Sequence, residues 1–170
     1  NIMNYIYWDD IISKAIPGIF HGDFHWENII YNLHSNEFKL IDWRQDFAGE
    51  INLGDLYYDA AKFMHGLIVK HAHVNNNLFK LKQNLNNNFY IKVPMEQFQI
   101  NILKEYENWI LEKNLQIEHV RLLCALIFIN IAPLHHEPYD RFLWLLGSLL
   151  VKRLKEKEWL KDDDIIYLKG

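Results

Sequence analysis

"FHGDFHWENIIY", residues 20–31, sets His21, Gly22, Asp23, His25, Glu27 and Asn28 within a dozen positions of a chain that has only seven glycines. A glycine before Asp23 lets the backbone turn tightly there. Upstream, residues 16–20 read as a short extended piece. Downstream, residues 29–33 and 37–41 are short runs rich in β-branched and aromatic side chains, joined by His34, Ser35 and Asn36, and so predict a hairpin with Asp42 at its exit. That hairpin brings Asn28 and Asp42 to the same edge as Asp23. An asparagine carbonyl and a carboxylate suit Mg²⁺, which prefers hard oxygen ligands and completes its shell with water and substrate phosphates. Asp23 is left as a base. Phosphoryl transfer asks for this division: metal ligands for the phosphates, and one carboxylate aimed at the attacking hydroxyl.

Composition is consistent with a protein acting on a small molecule. Half of the 170 residues are apolar, enough for one domain with a proper core. Eighteen basic and 22 acidic side chains give a net charge of −4 without a long single-sign run, which argues against nucleic acid or a polybasic membrane role. The one cysteine, Cys124, lies in the apolar run 122–129 and reads as a reduced core thiol, as expected of a cytoplasmic protein. That run and residues 142–151 are shorter than the roughly 20 residues needed to span a bilayer, so both are expected to be core helices. No stretch reads as a signal peptide. The chain begins at Asn1, and residues upstream of it are expected in the intact polypeptide. Abundant Lys, Asn and Ile with no threonine suits an AT-rich bacterial genome.

The rest of the chain is expected to be mainly helical. Leu53, Leu56, Tyr57, Ala60, Ala61, Met64 and Leu67 recur at helical spacing from Asn52, a candidate N-cap, to about Val69, with Asp55 in the first turn. Residues 78–93 predict a second hairpin with an asparagine-rich tip, and residues 95–113, 117–132 and 139–157 predict three helices. The fold class is therefore α+β, mainly helical. Trp109, Phe128, Tyr139, Phe142 and Trp144 fall on apolar helical faces and are expected in the core, some of them lining an acceptor pocket. Trp26 and Trp43 are read as packing residues. His71 with His73, and His135 with His136, lack the spacing that puts two zinc ligands on one helical face.

"HGDFHWEN", followed 14 residues after Asn28 by "IDW" and then by "GDLYYDAAKF" at residues 54–63, resembles the aminoglycoside phosphotransferase and choline kinase superfamily. Its catalytic loop reads H-G-D-x-x-x-x-N, its metal strand end I-D-[WFC], and its next helix opens G-D-x-x-x-D-[LI]-A. The five-residue step from Asp to Asn is also that of protein kinases. The resemblance covers residues 16–68 and implies the C-terminal lobe of a protein-kinase-like fold. It implies Asp23 as catalytic base, Asn28 and Asp42 as Mg²⁺ or Mn²⁺ ligands, and His21 and Asp59 as braces of the loop. His25 and Asp55 are given no more than a supporting contact. The implied reaction moves the γ-phosphoryl group of ATP or GTP to a hydroxyl of a small acceptor such as a sugar, a choline-like amino alcohol or an aminoglycoside.

The departures carry expectations too. No G-x-G pair occurs, so no glycine-rich phosphate loop can be placed. The nucleotide-holding N-terminal lobe is therefore expected upstream in the same polypeptide, with residues 1–75 forming the catalytic and metal segment of this lobe and 76–170 its helical, substrate-side part. Without that lobe the segment is expected to be inactive. Arg44 occupies the position of the protein-kinase D-F-G glycine, and the superfamily accepts other residues there. Glu118, Glu137 and Asp140 are candidates to face a cationic acceptor or to sit on a solvated surface. The competing reading is a non-catalytic kinase-like module that binds a ligand or an assembly partner.

Overall fold

The computed structural model describes residues 2–46, 49–83, 85, 89–160 and 165–168. In chain order the elements are α1 (Trp8–Lys14), β1 (Pro17–Gly18), β2 (Ile29–Asn32), β3 (Glu37–Leu40), β4 (Gly54–Asp55), α2 (Leu56–Ile68), α3 (His71–Asn75), β5 (Lys80–Gln83), β6 (Phe89–Lys92), α4 (Gln97–Glu112), α5 (Ile117–Ile131), α6 (Tyr139–Lys155) and β7 (Ile165–Leu168). This is a mainly helical α+β arrangement with small antiparallel sheets.

Helices α2, α5 and α6 form the core. Met64 and Ile68 of α2, Val120, Cys124 and Phe128 of α5, and Phe142, Leu143, Leu146 and Leu150 of α6 are all fully buried. Each large apolar side chain removed from water in this way contributes roughly 1.5–3 kcal/mol. A Cβ on Gly147 would lie 2.6 Å from the Ala125 carbonyl oxygen, so glycine is what lets α6 lie directly on α5. From Ile117 to Leu134 the chain holds 18 helical residues of mean hydropathy 1.7, long and apolar enough to cross a membrane, so the shorter run taken from sequence understates this segment. Half of it is buried inside the protein, against α2 and α6. Not every aromatic on these faces is interior. Trp109 and Trp144 are each 45% exposed, contrary to the core position expected of them.

The hairpin β2–β3 has the register Ile29↔Leu40 to Asn32↔Glu37. The second hairpin, β5–β6, pairs Lys80 with Lys92 and Gln83 with Phe89, and β7 adds a third strand that the sequence did not suggest. Most of its asparagine tip lies outside the described residues. Helices α1 and α3 were likewise not anticipated.

The start of α2 corrects the sequence reading. Asn52 is exposed and does not cap it. The cap is Asp55, whose Oδ1 accepts the Tyr57 N–H at 3.0 Å and the Ile16 N–H at 3.0 Å. The displacement has a tertiary cause: Gly54 and Asp55 pair antiparallel with Gly18 and Pro17, so the chain stays extended until it has crossed the segment leading into the loop of residues 20–28. Helix α4 opens at Gln97 with a capping box between Glu96 and Gln99, and the buried Gln99 amide donates to the Leu67 carbonyl at 2.8 Å. That bond ties α4 to the C-terminal end of α2.

Candidate active site

The question posed by Gly22 has a steric answer. Its φ is +79°, and a Cβ there would lie 2.5 Å from Arg44 Cβ and 2.8 Å from the Phe20 ring. Only glycine fits both the left-handed backbone and that space. The turn exposes two consecutive N–H groups, and the Asp59 carboxylate of α2 takes both, from His21 at 2.6 Å and from Gly22 at 2.8 Å. Burial raises the Asp59 carboxyl above its ordinary pKa, against the downward pull of these donors. The buried His21 ring donates from Nε2 to the Ile41 carbonyl at 2.8 Å and accepts from the Asp23 N–H at Nδ1, 3.3 Å away. It also packs on Trp43, with ring centroids 4.7 Å apart. Trp43 remains about half exposed, as does Trp26, so neither is a fully packed residue.

The loop and the hairpin exit are thereby fastened together. Asn28 ends a 3-10 turn and its Nδ2 donates to the Asp23 carbonyl at 3.0 Å and to Asp23 Oδ2 at 3.4 Å. The Ile41 N–H donates to the Asn28 carbonyl at 3.0 Å, which sets Asp42 one residue beyond Asn28's strand partner. Asp42 is exposed and has φ +57°, a left-handed conformation that aspartate tolerates better than most residues. The donor set fits Mg²⁺: with Nδ2 engaged by Asp23, the atom of the Asn28 amide left for a cation is its carbonyl oxygen, and the neighbouring residue at the hairpin exit is a carboxylate. Among the described residues no group of three or more His, Cys, Asp or Glu side chains is placed to hold a metal. Asp55 does not reach this cluster; its carboxylate is occupied at the N-terminus of α2.

Asp23 has two further side-chain partners, of which only Lys62 had no role assigned from the sequence. His25 Nε2 lies 3.3 Å from Oδ2. Lys62 of α2 places its ammonium 2.9 Å from Oδ1. The hydrogen bond with His25, followed by the hydrogen bond and charge of Lys62, holds the Asp23 carboxyl well below the usual carboxylate range despite its partial burial. These groups border a cleft of about 260 Å³ that also includes Arg44, His65, His71 and His135. His71 bonds to Glu27 across its rim. The only signal in sequence for Lys62 was its position three residues after Asp59, on the face of α2 that braces the loop. Separately, His21, Phe24, Trp43, Phe63, Tyr106 and Trp109 help to line a larger, mainly apolar groove of about 770 Å³.

His65 lies one turn beyond Lys62, with its ring 4.6 Å from that of Phe128 and both ring nitrogens buried without a hydrogen-bond partner among the described residues. Burial, reinforced by the Lys62 charge, pushes its pKa from 6.5 down to about 3. The unfolded chain therefore takes up this proton first as pH falls. The contribution of His65 to stability is complete above pH 6.5 and is lost progressively from there towards pH 3. Between pH 8 and pH 5 that loss should be about 2 kcal/mol, and urea midpoints of wild type and His65→Leu at the two pH values test it. His65→Leu should have the flatter pH dependence; an unchanged slope would assign the acid sensitivity to other groups.

No family model, no curated protein and no solved structure matches the chain. The functional reading therefore rests on the residues and their geometry.

Proposed function

We propose that this chain carries the phosphoryl-transfer centre of a small-molecule kinase, as the C-terminal lobe of a protein-kinase-like fold, acting with ATP or GTP on a hydroxyl acceptor. The observation that carries this reading is the Asp59 carboxylate holding the His21 and Gly22 N–H groups, which fixes the turn on which Asp23 stands beside Asn28. Asn28 and Asp42 would hold Mg²⁺, which supplies charge neutralisation for the phosphates when bound. In the transfer, the acceptor oxygen forms a bond to the γ-phosphorus. The bond from that phosphorus to the β,γ-bridging oxygen breaks, its electron pair leaves on the nucleoside diphosphate, and the hydroxyl proton passes to Asp23. A carboxylate as weakly basic as this one orients the hydroxyl early and accepts its proton late, which a loose transition state permits.

The cleft also bears on the acceptor. Glu137 is paired with Arg141 on the surface, and Asp140 borders a separate hollow with Phe89 and Trp144, so neither flanks Asp23. The charged side chains that line the cleft beside Asp23 are Lys62, Arg44 and Glu27. Both carboxylates of the cleft are engaged, Asp23 by Lys62 and Glu27 by His71, so neither stands free to hold a cationic amine, which favours an uncharged polyol such as a sugar. The second reading, a binding or assembly module, draws support from the apolar groove lined by Phe24, Phe63, Tyr106 and Trp109.

With two protein oxygens the metal should bind weakly alone and tightly with nucleotide. Titrating the intact gene product with paramagnetic Mn²⁺, followed by water-proton relaxation, tests this. Occupancy should rise sharply when a non-hydrolysable ATP analogue is present. Tight binding without nucleotide, or no binding with it, would remove the kinase reading.

A further inference from the structure

We infer that Lys62 is a working part of the transfer site: its ammonium positions the Asp23 carboxylate and presents its remaining N–H donors to the γ-phosphoryl group. The inference rests on the kinase reading above and gives a role to a residue that falls just after the last patterned position of the third motif, Ala61. Lys62 is 8% exposed, on a helix whose neighbours Ala61 and Met64 are core residues. An ammonium is not buried at such a position without compensation, since desolvation costs several kcal/mol unless a partner offsets it. Asp23 Oδ1 at 2.9 Å is that partner. An ammonium has three donors, and among the described residues no second acceptor engages this one. Lys62 also borders the cleft that Asp23 faces, together with Arg44.

The chemistry gives this arrangement a purpose. Asp23 must meet a hydroxyl that is attacking an anionic phosphoryl group, so carboxylate and phosphoryl repel each other as they approach. A cation fixed beside the carboxylate cancels that repulsion and can bridge both groups. Helix α2 supplies it ready-placed, because Lys62 lies three residues from Asp59, the group that holds the loop. The acceptor oxygen, γ-phosphorus and departing diphosphate exchange bonds as described above, and Lys62 keeps all its protons throughout.

The test uses the intact gene product with Lys62→Met and Lys62→Arg. Calorimetry measures affinity for Mg-ADP and for the Mg complex of the non-hydrolysable ATP analogue, which differ by the γ-phosphoryl group. Lys62→Met should weaken the analogue roughly tenfold while leaving Mg-ADP unchanged. It should lower kcat by about 10²-fold with little change in the acceptor KM. Lys62→Arg, which keeps the charge, should recover most of both losses. In an Asp23→Asn background, Lys62→Met should cost much less, because the pair acts as a unit. Equal effects on ADP and analogue, or kcat unchanged in Lys62→Met, would overturn the inference while leaving the kinase reading in place. If the wild type binds both nucleotides but phosphorylates no hydroxyl acceptor, the kinase reading fails and the ADP-against-analogue comparison still decides the role of Lys62. If Lys62→Met does not fold, the same comparison in Lys62→Arg and Lys62→Gln decides it: a selective loss for Gln alone supports the assignment, and equal behaviour overturns it.

Discussion

Asp23→Asn in the intact gene product should still fold and bind nucleotide with near wild-type affinity, while turnover falls by roughly 10²- to 10⁴-fold. The amide preserves the shape of the side chain and its contact with Asn28 but cannot take the hydroxyl proton. Replacing the carboxylate also leaves the Lys62 ammonium without its counter-charge, so a modest loss of stability should accompany the kinetic effect. Turnover measured beside nucleotide affinity separates chemistry from binding. An Asp23→Asn protein that turns over normally would disprove the base assignment. A wild type that binds ligand but never transfers a phosphoryl group would favour the module.

Asp59→Ala should be the most disruptive single change to the fold around the site. It removes one side chain but two hydrogen bonds, and it leaves the N–H groups of His21 and Gly22 without an acceptor in a part-buried turn. Hydrogen bonds to charged groups are worth about 1.5–3 kcal/mol each, so a loss of about 3 kcal/mol is expected, read as a lower urea midpoint at unchanged slope. Turnover should fall as well, since the turn that presents Asp23 would no longer be fixed. A variant with wild-type stability would show that Gly22 and the bonds of His21 and Asn28 set the turn without Asp59.

The legible parts of the fold were those written in local pattern. The β2–β3 hairpin and helices α5 and α6 follow from alternation, turn residues and helical spacing, and α4 differs from its expected range only at the ends. What sequence could not give depended on distant partners. The cap of α2 moved from Asn52 to Asp55 because residues 54 and 55 pair with residues 18 and 17, a contact no local signal announces. Strand β7 exists by pairing with β6, across more than 70 positions of chain. At the site, Asp23, Asn28 and His21 could be grouped because they share one short loop, and Asp59 because of a motif. Lys62 could not. A lysine in an amphipathic helix ordinarily marks the solvent face, and only the fold shows that this one is buried against the loop that carries Asp23. Trp109 and Trp144 erred in the opposite direction: periodicity put them inside, but no neighbouring element covers them fully.

One stripe of helix α2 carries four separate attachments: Asp55 to Ile16, Asp59 to the turn, Lys62 to Asp23, and Gly66 beneath His25 and Trp26, where a Cβ would come within 3.1 Å of His25. These positions fall at intervals of four, three and four residues, close to the helical repeat of about 3.6. A single inserted or deleted residue between them would turn one part of the stripe by about 100° relative to the other and detach several contacts at once. The hairpin between residues 32 and 37 is not held in this way: its tip is exposed, and the Asn32 side chain accepts from the His34 and Ser35 N–H groups within the turn itself. The descent of this protein should therefore tolerate length changes at the hairpin tip and preserve the register from 55 to 66, so that the helix keeps the ruler on which the loop is measured.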